Sequence, residues 1–318
     1  MNLDDLQRLA AEIKHSVAQA VHGQNAIIDM LLVSIFARGH CLLEGPPGTA
    51  KTLLAQSLAT SLKLDFSRIQ FTPDLMPGDV LGANVFDFKA GAFNLIKGPV
   101  FTDILLTDEI NRAPPKTQAA LLQVMNERKV TIDGKDYAVG DPFCVVATQN
   151  PIEHQGTYPL PEAQLDRFLF KLVLDFPNEA DEMEILRRHA LQPLEHDARK
   201  IGIKPVATRK AIRDGQDLVD TIRLEEDILA YVLRLVRTTR TDSAISHGAS
   251  TRAADALCGA VRACAALQGR DYALPDDVKM LFAPAMRHRI VLSPTAEIEG
   301  RSSDDVLEQI LNQVEAPR

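Results

Sequence analysis

The sequence is poor in cysteine, and its few cysteines are not arranged to bind metal. It has four, Cys41, Cys144, Cys258 and Cys264, with no CxxC pair and no metal-ligand spacing to the eight histidines. Most of them stand in apolar runs, where cysteine behaves as a small hydrophobic residue. We therefore predict inert core thiols in a reducing compartment.

A long apolar run is also missing. The longest, around residues 27–36, carries Asp29 and Ser34 and is far shorter than the roughly 20 residues that a membrane-spanning helix needs. The first residues are acidic and form an amphipathic pattern capped by Asn2, whereas a signal peptide would begin with basic residues. Apolar residues recur there at helical spacing: Leu3, Leu6, Leu9, Ile13 and Val17. We predict a cytoplasmic protein with no membrane partner.

The chain has no excess of positive charge. Its formal net charge is -8 and its pI is near 5.5, whereas nonspecific binding of nucleic acid needs a basic face. A nucleic-acid partner is therefore not expected, although a local basic groove stays open as an alternative. With 46% hydrophobic and 25% charged residues the composition is that of a soluble globular protein, and 318 residues suggest about two domains.

The order of apolar runs predicts an α/β domain followed by a helical one. Up to about residue 175, short runs rich in β-formers alternate with helical stretches, which is typical of a parallel sheet covered on both faces. From about residue 179 only helical periodicity is found. We place the domains at 1–178 and 179–318. Two hairpins are predicted within the first, near 79–99 and near 130–139, the latter from its Asp133-Gly134 pair.

A glycine-rich loop follows the first of these strands and precedes a helix, in "LLEGPPGTAKT". In that context backbone N–H groups around Gly45 and Gly48 bind phosphate, Lys51 adds a full positive charge, and the Thr52 hydroxyl binds Mg²⁺. Ala50 stands where a glycine is usual. Because only a positive φ demands glycine, we expect a negative, helix-compatible φ at Ala50. The alternative is a tight turn with a surface lysine.

Polar residues end two later apolar strands. Asp108 and Glu109 end "DILLTDE", where Asp108 is placed to bind the metal and Glu109 to polarise a water for attack on the γ-phosphate. Asn150 ends "FCVVATQN", and its amide offers a donor and an acceptor to that water or to the phosphate. The alternatives are two solvated surface acids and turn chemistry before Pro151.

Three long runs resemble the MoxR family of AAA+ ATPases: "LLTDEINRAPPKTQAALLQVMNERKVTIDG", "ATQNPIEHQGTYPLPEAQLDRFLFK" and "HGASTRAADAL". The resemblance covers nearly the whole chain, and Ala50 agrees with it. It implies an AAA+ P-loop αβα nucleotide-binding domain with a helical lid, and ATP and Mg²⁺ as cofactors. It also implies a self-assembled ring, expected to be a hexamer, that remodels client proteins with a partner carrying a von Willebrand factor A domain.

The resemblance assigns roles to particular residues. It places Gln24 at the adenine pocket and Asn150 as the first sensor. Arg167 would be an arginine finger reaching a neighbouring subunit, and Arg252 the second sensor on the lid. The nucleotide-binding set is Gln24, Gly45, Pro46, Pro47, Gly48, Thr49, Ala50, Lys51, Thr52 and Leu53; the catalytic set is Glu109, Asn150, Arg167 and Arg252; and the metal ligands are Thr52 and Asp108.

The arginines have other interpretations. The alternative for Arg167 is a surface pair with Asp166, and the alternative for Arg252 is an exposed arginine. A cation at a helix N-terminus is unfavourable unless something outside the helix compensates it. Arg112 is a further candidate for an intersubunit contact. The basic cluster Arg287 to Arg289 is interpreted as a solvated or interface patch.

Two further questions concern the first hairpin and the function as a whole. The hairpin carries Val85, Phe86, Phe88 and Phe93, which either face a pore or partner or pack on the same subunit. The main alternative function is the ATPase subunit of a metal-chelatase or metal-insertion complex. A nucleic-acid motor is disfavoured by the acidic balance, and a noncatalytic nucleotide-gated module by the presence of Glu109 and Arg167. The client itself is not readable from the sequence.

Overall fold

The computed structural model describes residues 1–89, 91–150, 156–191 and 198–317. Pro151 lies outside these residues, and with it the alternative prediction that Asn150 belongs to a turn before a proline. The first half contains helices α1 (Leu3–Ala18), α2 (Asn25–Phe36), α3 (Lys51–Ser61), α4 (Pro77–Leu81), α5 (Pro115–Glu127) and α6 (Glu162–Leu165) and a 3₁₀ turn (Ile110–Arg112). Its strands are β1 (Cys41–Glu44), β2 (Phe66–Gln70), β3 (Gly82–Asp87), β4 (Ala92–Lys97), β5 (Ile104–Asp108), β6 (Lys129–Ile132), β7 (Lys135–Ala138), β8 (Cys144–Gln149) and β9 (Phe170–Val173).

A parallel five-stranded sheet in the order β2-β5-β8-β1-β9 forms the centre of this half. Alternate residues of each strand point to opposite faces. One face, with Leu43, Leu106 and Val146, packs under α1, α2 and α3; the other, with Leu105 and Val145, packs under α5. The predicted αβα architecture is confirmed. Because parallel strands end together, the last residues of β2, β5, β8 and β1 meet at one edge.

Both predicted hairpins form. β3 pairs with β4 and β6 with β7, each antiparallel. Asp133 and Gly134 both have positive φ, 49° and 76°, as the two-residue turn that the Asp-Gly pair predicted requires.

The second half is mainly helical. It contains α7 (Glu179–Leu191), α8 (Ala198–Ile201), α9 (Arg209–Val219), α10 (Glu226–Thr239), α11 (Thr251–Leu267), α12 (Pro275–Met286), α13 (Pro294–Ile298) and α14 (Ser303–Gln313), with the strands β10 (Ile245–His247) and β11 (Val291–Leu292). The sequence predicted a second half made of helices alone. The antiparallel pair of β10 and β11 is a small departure from that prediction. Strands of two and three residues are too short to show alternation in sequence. No helix in the described ranges is long and apolar enough to cross a membrane.

The cysteines behave as predicted from their surroundings. All four are free; Cys41, Cys144 and Cys264 are buried and Cys258 is partly buried. Burial raises the pKa of Cys41 and of Cys264 to about 12, so these thiols stay protonated and unreactive near neutral pH.

Candidate active site

The phosphate loop connects β1 to α3, and its glycines are required for different reasons. A Cβ on Gly45 would collide with the backbone carbonyl of Leu174, so no side chain fits there. Gly48 has φ +85°, and a Cβ there would meet nothing within 4 Å. The loop is therefore shaped by its backbone, and the space above Gly48 is open.

Ala50 departs from the expectation. It has φ 58° and ψ 25°, in the left-handed region, and it caps α3 instead of belonging to the helix. The predicted negative φ is wrong because Ala50 is the N-cap residue before α3 and does not adopt helical dihedral angles. A left-handed conformation costs a non-glycine residue about 1–2 kcal/mol, so the loop is strained at this position.

Lys51 lies folded against its own loop. Its Nζ donates to the carbonyl oxygens of Gly45 and Pro46, both at 2.7 Å, and approaches Thr49 Oγ1 at 3.3 Å. Burial lowers the pKa of Lys51, and the negative charges of Asp108 and Glu109 oppose that shift. The strand order β5-β8-β1 places the loop after β1 and the end of β5 at the same edge of the sheet.

Asp108 is the last residue of β5 and is buried. Its Oδ1 accepts a hydrogen bond from Thr148 Oγ1 at 3.2 Å, and its Oδ2 forms an ion pair with Arg68 Nε at 2.6 Å. Thr148 Oγ1 also accepts from the backbone N–H of Glu109 at 3.0 Å. One hydroxyl on β8 therefore fixes both predicted acids relative to the neighbouring strand.

Glu109 leaves the strand with φ 55°, so its side chain turns out of the sheet. Its Oε2 accepts from Gln70 Nε2 at 2.6 Å and from Arg112 Nη1 at 2.9 Å. Arg112, considered above for an intersubunit contact, thus pairs with the predicted catalytic acid of its own chain. These two donors hold the carboxylate at the carboxyl edge of the sheet.

Asn150 and Gln24 border the same edge. Asn150 follows Gln149, which pairs with Glu44 of β1, so Asn150 stands at the end of the strand between that of the acids and that of the phosphate loop. Gln24 is buried at the start of α2, and its Nε2 donates to the carbonyl of Asp175 at 3.3 Å. That residue follows Leu174, which contacts Gly45. Gln24 therefore lies next to the loop on the side of β9.

Arg167 and Arg252 are not tied to the phosphate loop by any described contact. Arg167 follows α6, and its Nη1 donates to the carbonyl of Leu122 at 3.0 Å. Asp166, its suggested partner, instead binds Arg289 at 2.7 Å. Arg252 is exposed in the first turn of α11, whose capping Ser250 lies 3.5 Å from Asp166 Oδ2. The two arginines are thus carried by neighbouring segments.

Comparisons with known proteins agree with this geometry. Residues 40–170 match the model of the ATPase family associated with various cellular activities (AAA), and residues 237–310 match the AAA lid domain. The chain is 40% identical to YeaC of Bacillus subtilis, over 99% of this chain and 97% of that protein. It is 39% identical to Chaperone MoxR1 of Mycobacterium tuberculosis, over 98% and 82%. The crystal structure of a proposed ATPase from Cytophaga hutchinsonii has a TM-score of 0.91 and 39% identity, covering 99% and 97%. The chain belongs to the MoxR family of AAA+ ATPases.

This MoxR-family chain also has site residues that its sequence did not reveal: Arg68, Gln70 and Thr148. Arg68 and Gln70 lie on β2, and Gln70 pairs in register with Asp108. The run "FSRIQ" shows only that a strand is present. Its place beside β5 depends on strand order, which a single sequence does not specify, so no local signal connects these residues to the acids.

The basic cluster near the chain's end was interpreted wrongly. His288 and Arg289 are buried, and they are neither solvated nor at an outer face. His288 Nε2 lies 2.9 Å from the carbonyl of Phe168, and Arg287 Nη1 donates to that of Lys171 at 3.2 Å. The cluster joins the helical half to the segment around Arg167. Consecutive basic residues usually lie in solvent, and only the fold shows the carbonyl groups that they meet.

The donor set at the loop suits magnesium. Among the described residues no group of three or more His, Cys, Asp or Glu could hold a metal alone. Magnesium in nucleotide sites takes one or two protein oxygens and completes its shell with water and phosphate. A hydroxyl at Thr52 and a carboxylate at Asp108 fit that pattern, whereas they would not fit a structural zinc site.

Proposed function

We propose that this MoxR-family protein hydrolyses ATP with Mg²⁺ in a ring of identical subunits and uses the cycle to remodel or activate client proteins. The observation that supports this most directly is the strand order β5-β8-β1, which brings Asp108 and Glu109 at the end of β5 and the Lys51 loop after β1 to the same edge of the sheet. Lysine at phosphate, aspartate at metal and glutamate at water are the groups that phosphoryl transfer to water requires.

Separate residues of the chain bind the nucleotide, bind the metal and activate the water. Gln24 and residues 45–53 bind the nucleotide, with the α3 N-terminus and Lys51 facing its phosphates. Thr52 and Asp108 would hold a magnesium ion, which would supply positive charge to neutralise the phosphates. Glu109 polarises the attacking water and Asn150 orients it. To act, Glu109 must exchange its contacts with Gln70 and Arg112 for that water.

Arg167 completes a neighbouring subunit's site. It has no described contact with its own loop, and its Nε is buried without a hydrogen-bond partner among the described residues. In nucleotide hydrolysis a trans arginine contributes roughly 10³ to 10⁵ in rate. We assign Arg252 to phosphate sensing from the helical half, and we keep the domain boundary near residue 178. A partner with a von Willebrand factor A domain is proposed from the family resemblance.

Glu109→Gln tests the assignment. Since the amide keeps the size of the side chain and loses its basicity, we expect ATP binding to persist while turnover falls by roughly 10² to 10⁴. Steady-state phosphate release and binding of a fluorescent ATP analogue measure the two. Glu226→Gln, the same change in the exposed first turn of α10, is the matched control and should retain activity. Parental turnover in Glu109→Gln would remove Glu109 from the mechanism.

The same variant identifies the partner, because an ATP-bound subunit that does not turn over holds what it binds. A pull-down with Glu109→Gln in ATP, compared with Lys51→Ala, is expected to recover a protein with a von Willebrand factor A domain. Recovery of a tetrapyrrole or metallocofactor enzyme instead would support the metal-insertion alternative.

A further inference from the structure

Arg289, just beyond α12, is a buried arginine whose every N–H is used. Its side chain is only 2% exposed. Nε donates to Asp166 Oδ1 at 2.7 Å, and Nη2 donates to the carbonyls of Phe168 at 2.7 Å and Asp166 at 3.2 Å. Nη1 donates to the carbonyls of Leu169, at 3.1 Å, and Ala285. A guanidinium has five N–H donors, and all five have acceptors here.

Four of these five bonds go to residues 166–169, the connection between α6 and β9. Arg167 lies inside that connection, so its backbone is held on both sides, by Asp166 before it and by Phe168 and Leu169 after it. The fifth bond, to Ala285, anchors the guanidinium to α12. Arg289 therefore fixes where the Arg167 backbone stands relative to the helical half of the chain.

Such an arrangement is costly if stability is its only purpose. Burying a guanidinium and a carboxylate carries a desolvation cost that their attraction only partly returns, and apolar replacements are often as stable. What a directional, fully bonded arginine adds is a defined position. Arg252 is close enough for its charge to lower the pKa of Arg289, after burial and against the Asp166 carboxylate. The segment that carries Arg252 also reaches the carboxylate that Arg289 binds, because Ser250 Oγ lies 3.5 Å from Asp166 Oδ2.

We infer that Arg289 is a positioning residue, which sets Arg167 of its own subunit in the orientation that completes the neighbouring subunit's active site. This rests on the proposed function, in which Arg167 acts in trans. Arg289 contacts neither the phosphate loop nor the acids. Loss of Arg289 should therefore impair the active site of the neighbouring subunit and leave the subunit's own nucleotide site intact.

Mixed rings test this. Arg289→Met alone should bind ATP like the parent and lose turnover by roughly 10²-fold, since a displacement of about 1 Å in a catalytic group has that effect. Added Lys51→Ala subunits cannot bind ATP but carry an intact Arg167. They should restore turnover to Arg289→Met, as they should to Arg167→Ala. kcat should change while the ATP dissociation constant does not.

Two controls separate this role from a general loss of stability. Arg270→Met removes another part-buried arginine of the helical half, which pairs with Asp277 at 2.7 Å and does not contact residues 166–169. It should keep parental turnover per folded subunit. Asp166→Asn keeps the shape of the side chain and weakens its contact with Arg289. It should therefore lose less ATP turnover than Arg289→Met and be rescued by the same Lys51→Ala subunits. This variant also provides the test if Arg289→Met is insoluble.

The outcomes are distinct. Rescue of Arg167→Ala but not of Arg289→Met and Asp166→Asn would overturn the inference, because the defect would then lie in the subunit's own site or in its folding. Parental turnover in both variants would overturn it as well. Failure of Arg167→Ala to be rescued would instead reject the trans arrangement of the proposed function.

Discussion

Ala50 and Glu109 are both non-glycine residues in the left-handed region, with φ 58° and 55°. They flank the place where phosphate and water are proposed to meet. Strain of this kind persists where the surroundings fix the backbone, and it is common at active sites. At Glu109 the reason is visible: the turn takes the carboxylate from the strand direction toward Gln70 and Arg112. At Ala50 the residue itself has no described side-chain role.

Ala50→Gly should therefore stabilise the protein. The penalty removed is about 1–2 kcal/mol, and the extra freedom of glycine in the unfolded chain returns part of it, which leaves a gain of about 0.5–1 kcal/mol in the free energy of unfolding. Urea unfolding followed by circular dichroism measures it. Ala11→Gly, at an exposed position inside α1, should act in the opposite direction, by about 1 kcal/mol. Destabilisation by Ala50→Gly would show that the methyl group makes a needed contact.

Whole elements follow from the sequence where their own pattern specifies them. Apolar runs of several residues specify β1, β5 and β8, and one Asp-Gly pair specifies the turn of the second hairpin. Edge strand β9 was not predicted. β9 is four residues long and has β1 as its single partner among the described strands, so its strand character depends on that partner. In the same way, the contact of Gln70 with Glu109 and that of Arg289 with Asp166 arise from packing of segments distant in sequence.

The first hairpin has an apolar cluster that is largely uncovered. Phe86 lies 5.2 Å, ring centre to ring centre, from both Phe88 and Phe93 in edge-to-face contacts. Phe88 is 90% exposed and Phe93 70% exposed. Of the two predicted arrangements, packing against the body of the same subunit is not seen for Phe88 and Phe93, which contact Phe86 of their own hairpin and are otherwise exposed. Exposed aromatic groups of this size commonly mark an interaction surface.

Phe88→Ala should accordingly leave the fold intact. A side chain with so little buried area contributes little to folding, so we expect a change below about 0.5 kcal/mol in the free energy of unfolding. Phe71→Ala, which removes a fully buried ring, is the contrast and should cost about 3–5 kcal/mol. Thermal and urea unfolding of the two variants give the comparison. A loss above about 1 kcal/mol in Phe88→Ala would mean that the ring is covered within the chain.

At the scale of the whole molecule, one apolar core crosses the predicted domain boundary. It includes Leu6 of α1 and Phe36 of α2 from the first half, and Ile212 of α9 and Leu257 of α11 from the second. A Cβ on Gly215 of α9 would lie 2.6 Å from the Phe36 ring, so the helices are in close contact. The two halves therefore stabilise each other, and we expect the chain to unfold in one transition.

Because the two halves unfold together, protonation of one buried residue, His40, should lower the free energy of unfolding of the whole chain. Its Nδ1 accepts from the Val145 N–H at 3.0 Å and its Nε2 lies 3.1 Å from the Met125 carbonyl, so it is neutral and joins β8 to α5. Burial lowers its pKa from 6.5 to about 4, only partly opposed by the Met125 contact. Burial likewise holds the pKa of His288 well below its usual range.

The direction in which the free energy of unfolding changes with pH depends on whether the folded or the unfolded state binds the proton first. As pH falls below 6.5 the unfolded chain protonates His40 while the native state does not until about pH 4, so this stability is present above pH 6.5 and is lost as pH falls toward 4. Between pH 7 and pH 5 the loss from His40 should be about 2 kcal/mol. His40→Asn, whose amide oxygen can accept from Val145, should be less stable at pH 7 but should lose about 2 kcal/mol less on acidification. His247→Asn, at an exposed position, should keep the parental pH dependence. Equal pH dependence in the parent and in His40→Asn, measured by urea unfolding at both pH values, would mean that His40 is not held neutral.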